Sequence, residues 1–169
     1  MKNTRYFAIV LLFIGNSFAA LSQKEAPERD IHGLLRDYNT NSVPYLSVHK
    51  LNMEYQEYVI LDTRKKEEFE VSHLPNAIWV GEKYDVKNLR GVGKEVKIVV
   101  YCSVGIRSED YGEQMLQGGF TQVYNLYGSI FYWKDAGYQV VDQNMKPTQR
   151  VHVYGRKWAV YLKTGEKVF

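Results

Sequence analysis

The sequence of 169 residues contains 22 lysines and arginines against 19 aspartates and glutamates, which gives a formal net charge of +3. Its length suits one domain with additional segments, and 45% hydrophobic with 24% charged residues is ordinary for a globular protein. Removal of Lys2 and Arg5 with an N-terminal targeting segment takes the charge from +3 to +1. So small an excess gives no support for nucleic-acid binding or for a basic membrane-binding patch.

Residues 1–22 have the features of a signal peptide. Two basic residues precede an apolar run at 6–14, and small residues at 17–19 or 20–22 offer a cleavage site. The apolar run is too short to span a membrane comfortably. We therefore predict an exported protein, periplasmic or extracellular, with no stable membrane insertion after cleavage. An uncleaved N-terminal membrane anchor is the alternative.

The segments that flank the main domain differ in character. Residues 23–42 are polar and weakly periodic, which predicts an exposed linker with one short helix at 31–38 and a solvated His32. Beyond residue 142, alternating apolar residues between 151 and 162 flank a glycine-containing turn. This pattern predicts a C-terminal β-hairpin extension over residues 143–169. Its default role is a structural cap, although it could also border the site or receive a partner.

The main domain, residues 43–142, alternates strand and helix signals. Strands are predicted at 59–61, 77–80, 97–101 and 122–126, and helical segments at 65–70, 107–117 and 128–137. Such alternation predicts an α/β fold with a parallel sheet and helices on both faces.

The single cysteine lies at the most informative junction of the chain. An apolar run at 98–101 ends at Cys102, Gly105 permits a tight turn, and Arg107 opens a helix that closes at 118–119. The cysteine therefore lies between the carboxyl end of a strand and the amino end of a helix, where open α/β sheets build their sites.

This position favours a negative charge on sulfur. The N–H groups of the loop and the charge of Arg107 should lower the pKa of the thiol. A drop of about two units raises the thiolate fraction at pH 7 roughly 25-fold, while the intrinsic nucleophilicity falls roughly 10-fold. Because the net gain is small, the loop is better explained as a cradle for a larger anion on the sulfur, such as a persulfide, than as a device for activating the thiol.

Four sequence blocks resemble the rhodanese domain family. Cys102-x-x-Gly105-x-Arg107 resembles its active-site loop, in which the cysteine becomes a persulfide. The other blocks lie at 61–69, 72–78 and 125–133, where Ser72, Asn76 and Ser129 replace glycines usual in the family. Together they cover residues 43–142. The resemblance implies a rhodanese-like domain with Cys102 as nucleophile.

The resemblance implies a sulfurtransferase that moves sulfane sulfur from a small donor to cyanide, a thiol or a protein acceptor. Cys102 and Arg107 are the predicted catalytic residues, with a persulfide cradle formed by Ser103, Val104, Gly105 and Ile106. The scheme needs no metal or organic cofactor, and the four histidines show no metal-ligand spacing. The donor is expected to be polysulfide or thiosulfate, and with Arg107 as the only cation of the loop, polysulfide or another persulfide is expected to be used better than dianionic thiosulfate.

Two other functions compete with sulfur transfer. A persulfide carrier that works with a partner protein remains open. A cysteine-dependent phosphatase is disfavoured, because related phosphatase loops resemble Cys-x5-Arg, whereas this loop is Cys-x4-Arg. A dithiol mechanism of the Cys-x-x-Cys kind is excluded within a sequence that holds one cysteine.

Asp62 and Arg64 are predicted supporting residues, because they follow a strand end on the rim that carries Cys102. Asp62 could pair with Arg107 or another group of the loop. The alternative is a structural salt bridge or a helix-capping aspartate. His73 has no partner at catalytic spacing, so a structural hydrogen bond is its expected role.

Overall fold

A five-stranded parallel sheet forms the centre of the protein. The computed structural model describes residues 30–169, and the predicted signal peptide lies outside these residues. The strands are β1 (Tyr45–Leu46), β2 (Val59–Asp62), β3 (Ile78–Trp79), β4 (Ile98–Tyr101) and β5 (Val123–Leu126). They are ordered β1-β5-β4-β2-β3, with every neighbouring pair parallel. The central strand β4 is therefore covered on both edges, and the cysteine follows directly from it.

Helices cover both faces of this sheet. They are α1 (Ile31–Tyr38), α2 (Val48–Met53), α3 (Lys66–Val71), α4 (Arg107–Gln117) and α5 (Ser129–Asp135). Successive residues of β4 enter opposite cores, as the alternation of side chains along a strand requires. Val100 packs in the cluster that contains Met115 of α4, whereas Val99 packs with Leu35 of α1 and Phe131 of α5. The predicted α/β class with helices on both faces is confirmed.

The predicted elements of the main domain are found close to their expected bounds. The elements that were missed include the two-residue strand β1 and the one-and-a-half-turn helix α2. Neither is long enough to display a period in the sequence. Tertiary pairing creates β1, since it adds to the edge of the sheet beside β5.

The segment predicted as an exposed linker is partly buried. Its helix is confirmed with Asp30 as the N-cap, but Ile31, Leu34 and Leu35 are buried and join the main core. The description as exposed is therefore wrong for α1. These three residues have the i, i+3, i+4 spacing of one helix face, and that face packs on the domain. His32 is exposed, as expected, and bonds the hydroxyl of Tyr127.

The C-terminal β extension is confirmed, with a different internal pairing. An antiparallel hairpin joins β6 (Val140–Val141) to β7 (Pro147–Thr148). Strand β8 (Arg150–His152) then pairs in parallel with β9 (Glu166–Val168), and a short 3-10 helix at Ala159–Tyr161 lies between them. The expected strand around Trp158 and Val160 is therefore absent, because this part of the chain crosses over between two parallel strands. Within residues 30–169, no helix is long and apolar enough to cross a membrane.

Candidate active site

The cysteine loop, residues 102–106, connects β4 to α4. Arg107 is the first residue of α4, and Cys102 is the first residue after β4. The start of α5 holds the loop from the other side. The N–H of Ile130 donates to the Cys102 carbonyl at 3.3 Å, and the Ser129 hydroxyl accepts from the Cys102 N–H at 3.1 Å. Ser129 has φ 50°, a left-handed conformation that favours glycine, so the serine accepts backbone strain and contributes this extra bond to the nucleophile.

The sulfur of Cys102 is buried and surrounded by donors. Cys102 is 1% exposed, and its Sγ lies 3.2 Å from the N–H of Gly105 and 3.6 Å from the hydroxyl of Ser108. Burial by itself would raise the pKa of the thiol. The positive charge of Arg107 and the hydrogen bonds from Ser108 and Gly105 outweigh burial and lower the pKa below its ordinary value. The site therefore favours an anion on sulfur.

Ser108 is placed by a partner on the neighbouring strand. Its hydroxyl donates to Asn125 Oδ1 at 2.8 Å, and Asn125 Nδ2 donates to the Gly105 carbonyl at 2.8 Å. A serine hydroxyl has one proton. The Ser108 hydroxyl can donate this proton to Asn125, or it can rotate and donate to the sulfur of Cys102 when a negative charge forms there. Sequence analysis identified neither Ser108 nor Asn125 as part of the site.

Arg107 is neutralised by carboxylates. It makes a two-pronged bond with the buried Glu68, Nη1 to Oε2 and Nη2 to Oε1, both at 2.9 Å. Nη1 also donates to Glu82 at 2.7 Å and Nη2 to the Ser103 hydroxyl at 3.0 Å. All four Nη hydrogens are thus directed at protein oxygens. Arg107 acts on the sulfur through its charge and, through its bond to Ser103, on the shape of the loop.

Glu68 belongs to the sequence block at 61–69 that resembles the family, but the sequence did not indicate that it pairs with Arg107. Burial would raise the pKa of its carboxyl group, and the bonds from Arg107 outweigh burial, so the pKa is lowered. Glu82 carries no sequence signal that links it to the loop. Its contact with Arg107 spans 25 residues and exists only in the folded chain.

The predicted pairing of Asp62 with Arg107 is wrong. Asp62 pairs with Arg64 instead, with Nη2 to Oδ2 at 2.6 Å and both side chains fully buried. It also accepts from the Tyr101 hydroxyl at 2.5 Å, while Arg64 donates to the Ser72 carbonyl at 2.6 Å. The alternative of a structural salt bridge is therefore correct. Asp62 ends β2 and Arg64 follows with one residue between them, so the two side chains reach each other more easily than either reaches the cysteine loop.

A pocket of about 150 Å³ opens above the sulfur. Its lining residues are Cys102, Ser103, Val104, Ile106, Arg107, Tyr154 and Trp158. Three of the four predicted cradle residues line it, and Gly105, with φ 114°, supplies the turn beneath. Tyr154 and Trp158 belong to the C-terminal extension, which therefore borders the site. The sequence raised that role without identifying either aromatic residue.

His73 has the structural role expected of it. Its Nδ1 lies 3.0 Å from the Phe69 carbonyl, which can only accept, so Nδ1 carries the proton. The backbone of His73 also bonds the backbone of Val141 in both directions, at 2.8 and 2.9 Å. Across residues 30–169, no three or more histidine, cysteine, aspartate or glutamate side chains are grouped to hold a metal ion.

Comparison of the sequence with models of known protein families identifies one family whose match includes most of the sheet, the loop and the buried cysteine. The rhodanese-like domain model matches residues 47–136. The chain belongs to the rhodanese-like domain family. The match includes β2 to β5 and the cysteine loop, and it ends before the extension that supplies Tyr154 and Trp158.

Relatives of this domain carry different names. A thiosulfate sulfurtransferase GlpE from Coxiella burnetii is 30% identical over 79 residues, which are 47% of this chain and 74% of that protein. A tRNA uridine(34) hydroxylase from Hamiltonella defensa is 28% identical over 165 residues, 91% of this chain, but the match spans only 44% of that relative. A solved rhodanese-related protein from Thermoplasma volcanium is 25% identical, with a TM-score of 0.51 over 58% of this chain and 97% of that chain. Because the curated names describe different reactions, the chemistry has to be argued from the site.

Proposed function

We propose that this rhodanese-like protein is a sulfurtransferase that carries sulfane sulfur as a persulfide on Cys102. The observation that carries the proposal is a buried cysteine sulfur that faces a pocket and receives contacts from the Gly105 N–H and the Ser108 hydroxyl. The nearby charge of Arg107 and these donors lower the pKa of the thiol despite its burial. The same donors and the charge of Arg107 would also stabilise a persulfide anion carried on this sulfur.

The reaction has two steps. In the first, the Cys102 thiolate forms a bond to the sulfane sulfur of the donor, the S–S bond of the donor breaks, and its electron pair leaves with the shorter polysulfide or with sulfite. In the second, the acceptor forms a bond to the outer sulfur of the persulfide. The bond to Cys102 breaks, and its electron pair returns to the sulfur of Cys102 as thiolate. When the acceptor is cyanide, the product is thiocyanate. When the acceptor is a thiolate, the product is a persulfide of that thiol.

Polysulfide is the proposed donor, in preference to thiosulfate. Arg107 carries the only charge among the residues that line the pocket, and two carboxylates, Glu68 and Glu82, pair with it. Thiosulfate, a dianion, would meet a cation whose charge is already balanced by two carboxylates and whose Nη donors are in use. Polysulfide is also an anion, but its two charges lie at the ends of a longer chain, so its binding depends less on a single cation.

Intact mass of the purified protein tests the proposal. After incubation with polysulfide, we expect an adduct of about 32 Da, one sulfur atom on a nucleophilic cysteine. It should disappear on addition of cyanide as thiocyanate forms, and Cys102→Ser should not form it. Cys102→Ser keeps the size of the side chain and is the matched control. The same incubation is repeated with thiosulfate at equal concentration. Absence of the adduct with both polysulfide and thiosulfate would contradict the proposed activity. Faster formation of the adduct with thiosulfate would contradict the proposed donor.

A further inference from the structure

The pocket over Cys102 is completed by residues outside the matched family domain. The rhodanese-like match ends at residue 136, whereas Tyr154 and Trp158 lie in the crossover between β8 and β9. Both line the pocket that contains the sulfur. This wall of the site is therefore a feature of the C-terminal extension rather than of the family core.

Tyr154 is held over the site in a strained backbone conformation. Its φ is 63°, and the Gly155 N–H bonds the Val153 carbonyl at 2.6 Å, which makes a tight γ-turn of the rare positive-φ kind. The N–H of Tyr154 donates to His152 Nδ1 at 3.0 Å, which secures the turn. The ring lies 4.4 Å from the guanidinium carbon of Arg107. Strain of this kind persists where surrounding structure enforces it, and such sites are often functional.

Apolar groups provide most of the pocket wall. Val104 and Ile106 of the cysteine loop face Tyr154 and Trp158 of the extension. The volume is about 150 Å³, and an apolar cavity of that size accommodates a benzene ring. The pocket therefore has room for more than cyanide or a short sulfur chain.

Trp158 also borders a second cavity. This cavity of about 160 Å³ is lined in addition by Leu34, Tyr38, Tyr161 and Lys157. Leu34 and Tyr38 belong to α1 and Tyr161 to the short 3-10 helix, so the second cavity borders the N-terminal helix. The indole of Trp158 thus lines both the pocket over the sulfur and this second cavity.

We propose that Tyr154 and Trp158 form a binding subsite for the apolar arm of an organic thiol that accepts sulfur from Cys102. This inference rests on the proposed sulfur transfer and adds the class of acceptor, an aromatic or bulky alkyl thiol. The thiol loses its proton to water, and its sulfur bonds to the outer sulfur of the persulfide. The bond from that sulfur to Cys102 then breaks, and its electron pair stays on Cys102. The products are the organic persulfide and the free thiolate enzyme.

Discharge of the loaded enzyme by two thiols of similar basicity tests the subsite. The probes are benzyl mercaptan, which carries a ring, and 2-mercaptoethanol, which does not. Each rate is divided by the rate of the same thiol with free cysteine persulfide, which removes intrinsic reactivity. We expect kcat/KM for benzyl mercaptan to exceed that for 2-mercaptoethanol by about tenfold, the discrimination typical of a hydrophobic pocket. A ratio near one in the wild-type protein overturns the proposal.

Variants of the C-terminal extension test whether its aromatic residues cause the preference for benzyl mercaptan. Trp158→Ala should bring the ratio close to one, and Trp158→Phe should retain most of it because a ring remains. Phe169→Ala is the matched control, since Phe169 is an exposed aromatic residue of the same extension and does not line the pocket. If Trp158→Ala does not fold, Tyr154→Asn provides the same comparison, because asparagine tolerates the positive φ and removes the apolar ring. A Trp158→Ala ratio equal to that of the wild type overturns the proposal.

Cyanide separates this inference from the proposed function. Thiocyanate formation from loaded wild-type protein reports on sulfur transfer without using an apolar subsite. If cyanide releases the sulfur and the thiol ratio is near one, the subsite is wrong and the sulfurtransferase stands. If no persulfide forms at all, both are overturned.

Discussion

Two arginines follow two neighbouring strands of the same sheet, and each is paired with acidic residues, yet their surroundings differ. Arg64, beyond β2, and its partner Asp62 have no exposed side-chain surface. Arg107, beyond β4, is 23% exposed and shares its charge between the buried Glu68 and the more exposed Glu82. Burial disfavours both cations, but their partners outweigh it and keep the pKa of each guanidinium above its ordinary value.

We expect this difference to separate a structural ion pair from one that supports the proposed reaction. The Asp62–Arg64 pair ties the end of β2 to Tyr101 of β4 and to the carbonyl of Ser72, so it joins elements that build the rim of the sheet. Arg107 bonds the loop that holds the sulfur and lines the pocket. Disruption of the first should affect the free energy of unfolding, whereas disruption of the second should affect the reaction.

The largest effect is expected for Arg64→Met. The change leaves the Asp62 carboxylate buried without its cation, which typically costs about 3–5 kcal/mol. We expect urea unfolding at a clearly lower midpoint, with sulfur transfer per folded molecule affected far less. Arg150→Met is the matched control, since the Arg150–Glu166 pair is exposed at 3.8 Å and such pairs contribute ~0–1 kcal/mol. Equal midpoints for the two variants would show that Arg64 is not the structural anchor inferred here.

A smaller effect on stability, but a larger one on the reaction, is expected for Arg107→Lys. Lysine keeps a charge beside Glu68 but cannot make the two-pronged bond and also reach Glu82 and Ser103. We expect the rate of sulfur transfer to fall by about tenfold or more, with a loss of about 1–2 kcal/mol in the free energy of unfolding. Arg107→Ala is a poorer test, because it strands the buried Glu68 and would destabilise the fold as well.

The test of Arg107→Lys has a control variant and one result that would contradict it. Glu82→Gln removes the more exposed partner and serves as the control, with a small expected effect on both quantities. A wild-type rate of transfer in Arg107→Lys, measured as thiocyanate formed from polysulfide and cyanide, would remove the guanidinium geometry from the mechanism.

The smallest effect concerns the ionisation of Cys102. Because the folded protein lowers the pKa of this thiol, alkylation by iodoacetamide should reach half of its maximal rate at a pH below that of an ordinary thiol. Ser108→Ala removes one donor to the anion and should move this midpoint upward. Ser47→Ala is the control, since its hydroxyl caps α2 by accepting from the Lys50 N–H. An unshifted midpoint in Ser108→Ala would show that the Asn125 contact holds the hydroxyl away from the sulfur.

The parts of the site that sequence reasoning found are local. The apolar strand, Cys102, Gly105 and Arg107 are close in the chain, so the loop could be predicted with its position between a strand and a helix. Glu82 and Asn125 approach this loop across 25 and 20 residues, and no pattern connects them to it. The sequence left open whether Asp62 pairs with Arg107 or forms a structural salt bridge, because the rim of the sheet brings both arginines to the same edge, and the structure shows the pair with Arg64.

The sequence alone determined the α/β class, the cysteine loop and the face alternation of β4, because these follow from short-range steric rules and from the period of apolar residues. Tertiary structure decided which carboxylates neutralise Arg107, and it buried a helix that had been expected in an exposed linker. It also brought Tyr154 and Trp158 over the sulfur from a segment beyond the matched family domain. Those outcomes depend on long-range packing and on the desolvation of charged groups, which are properties of the folded chain and not of any local stretch.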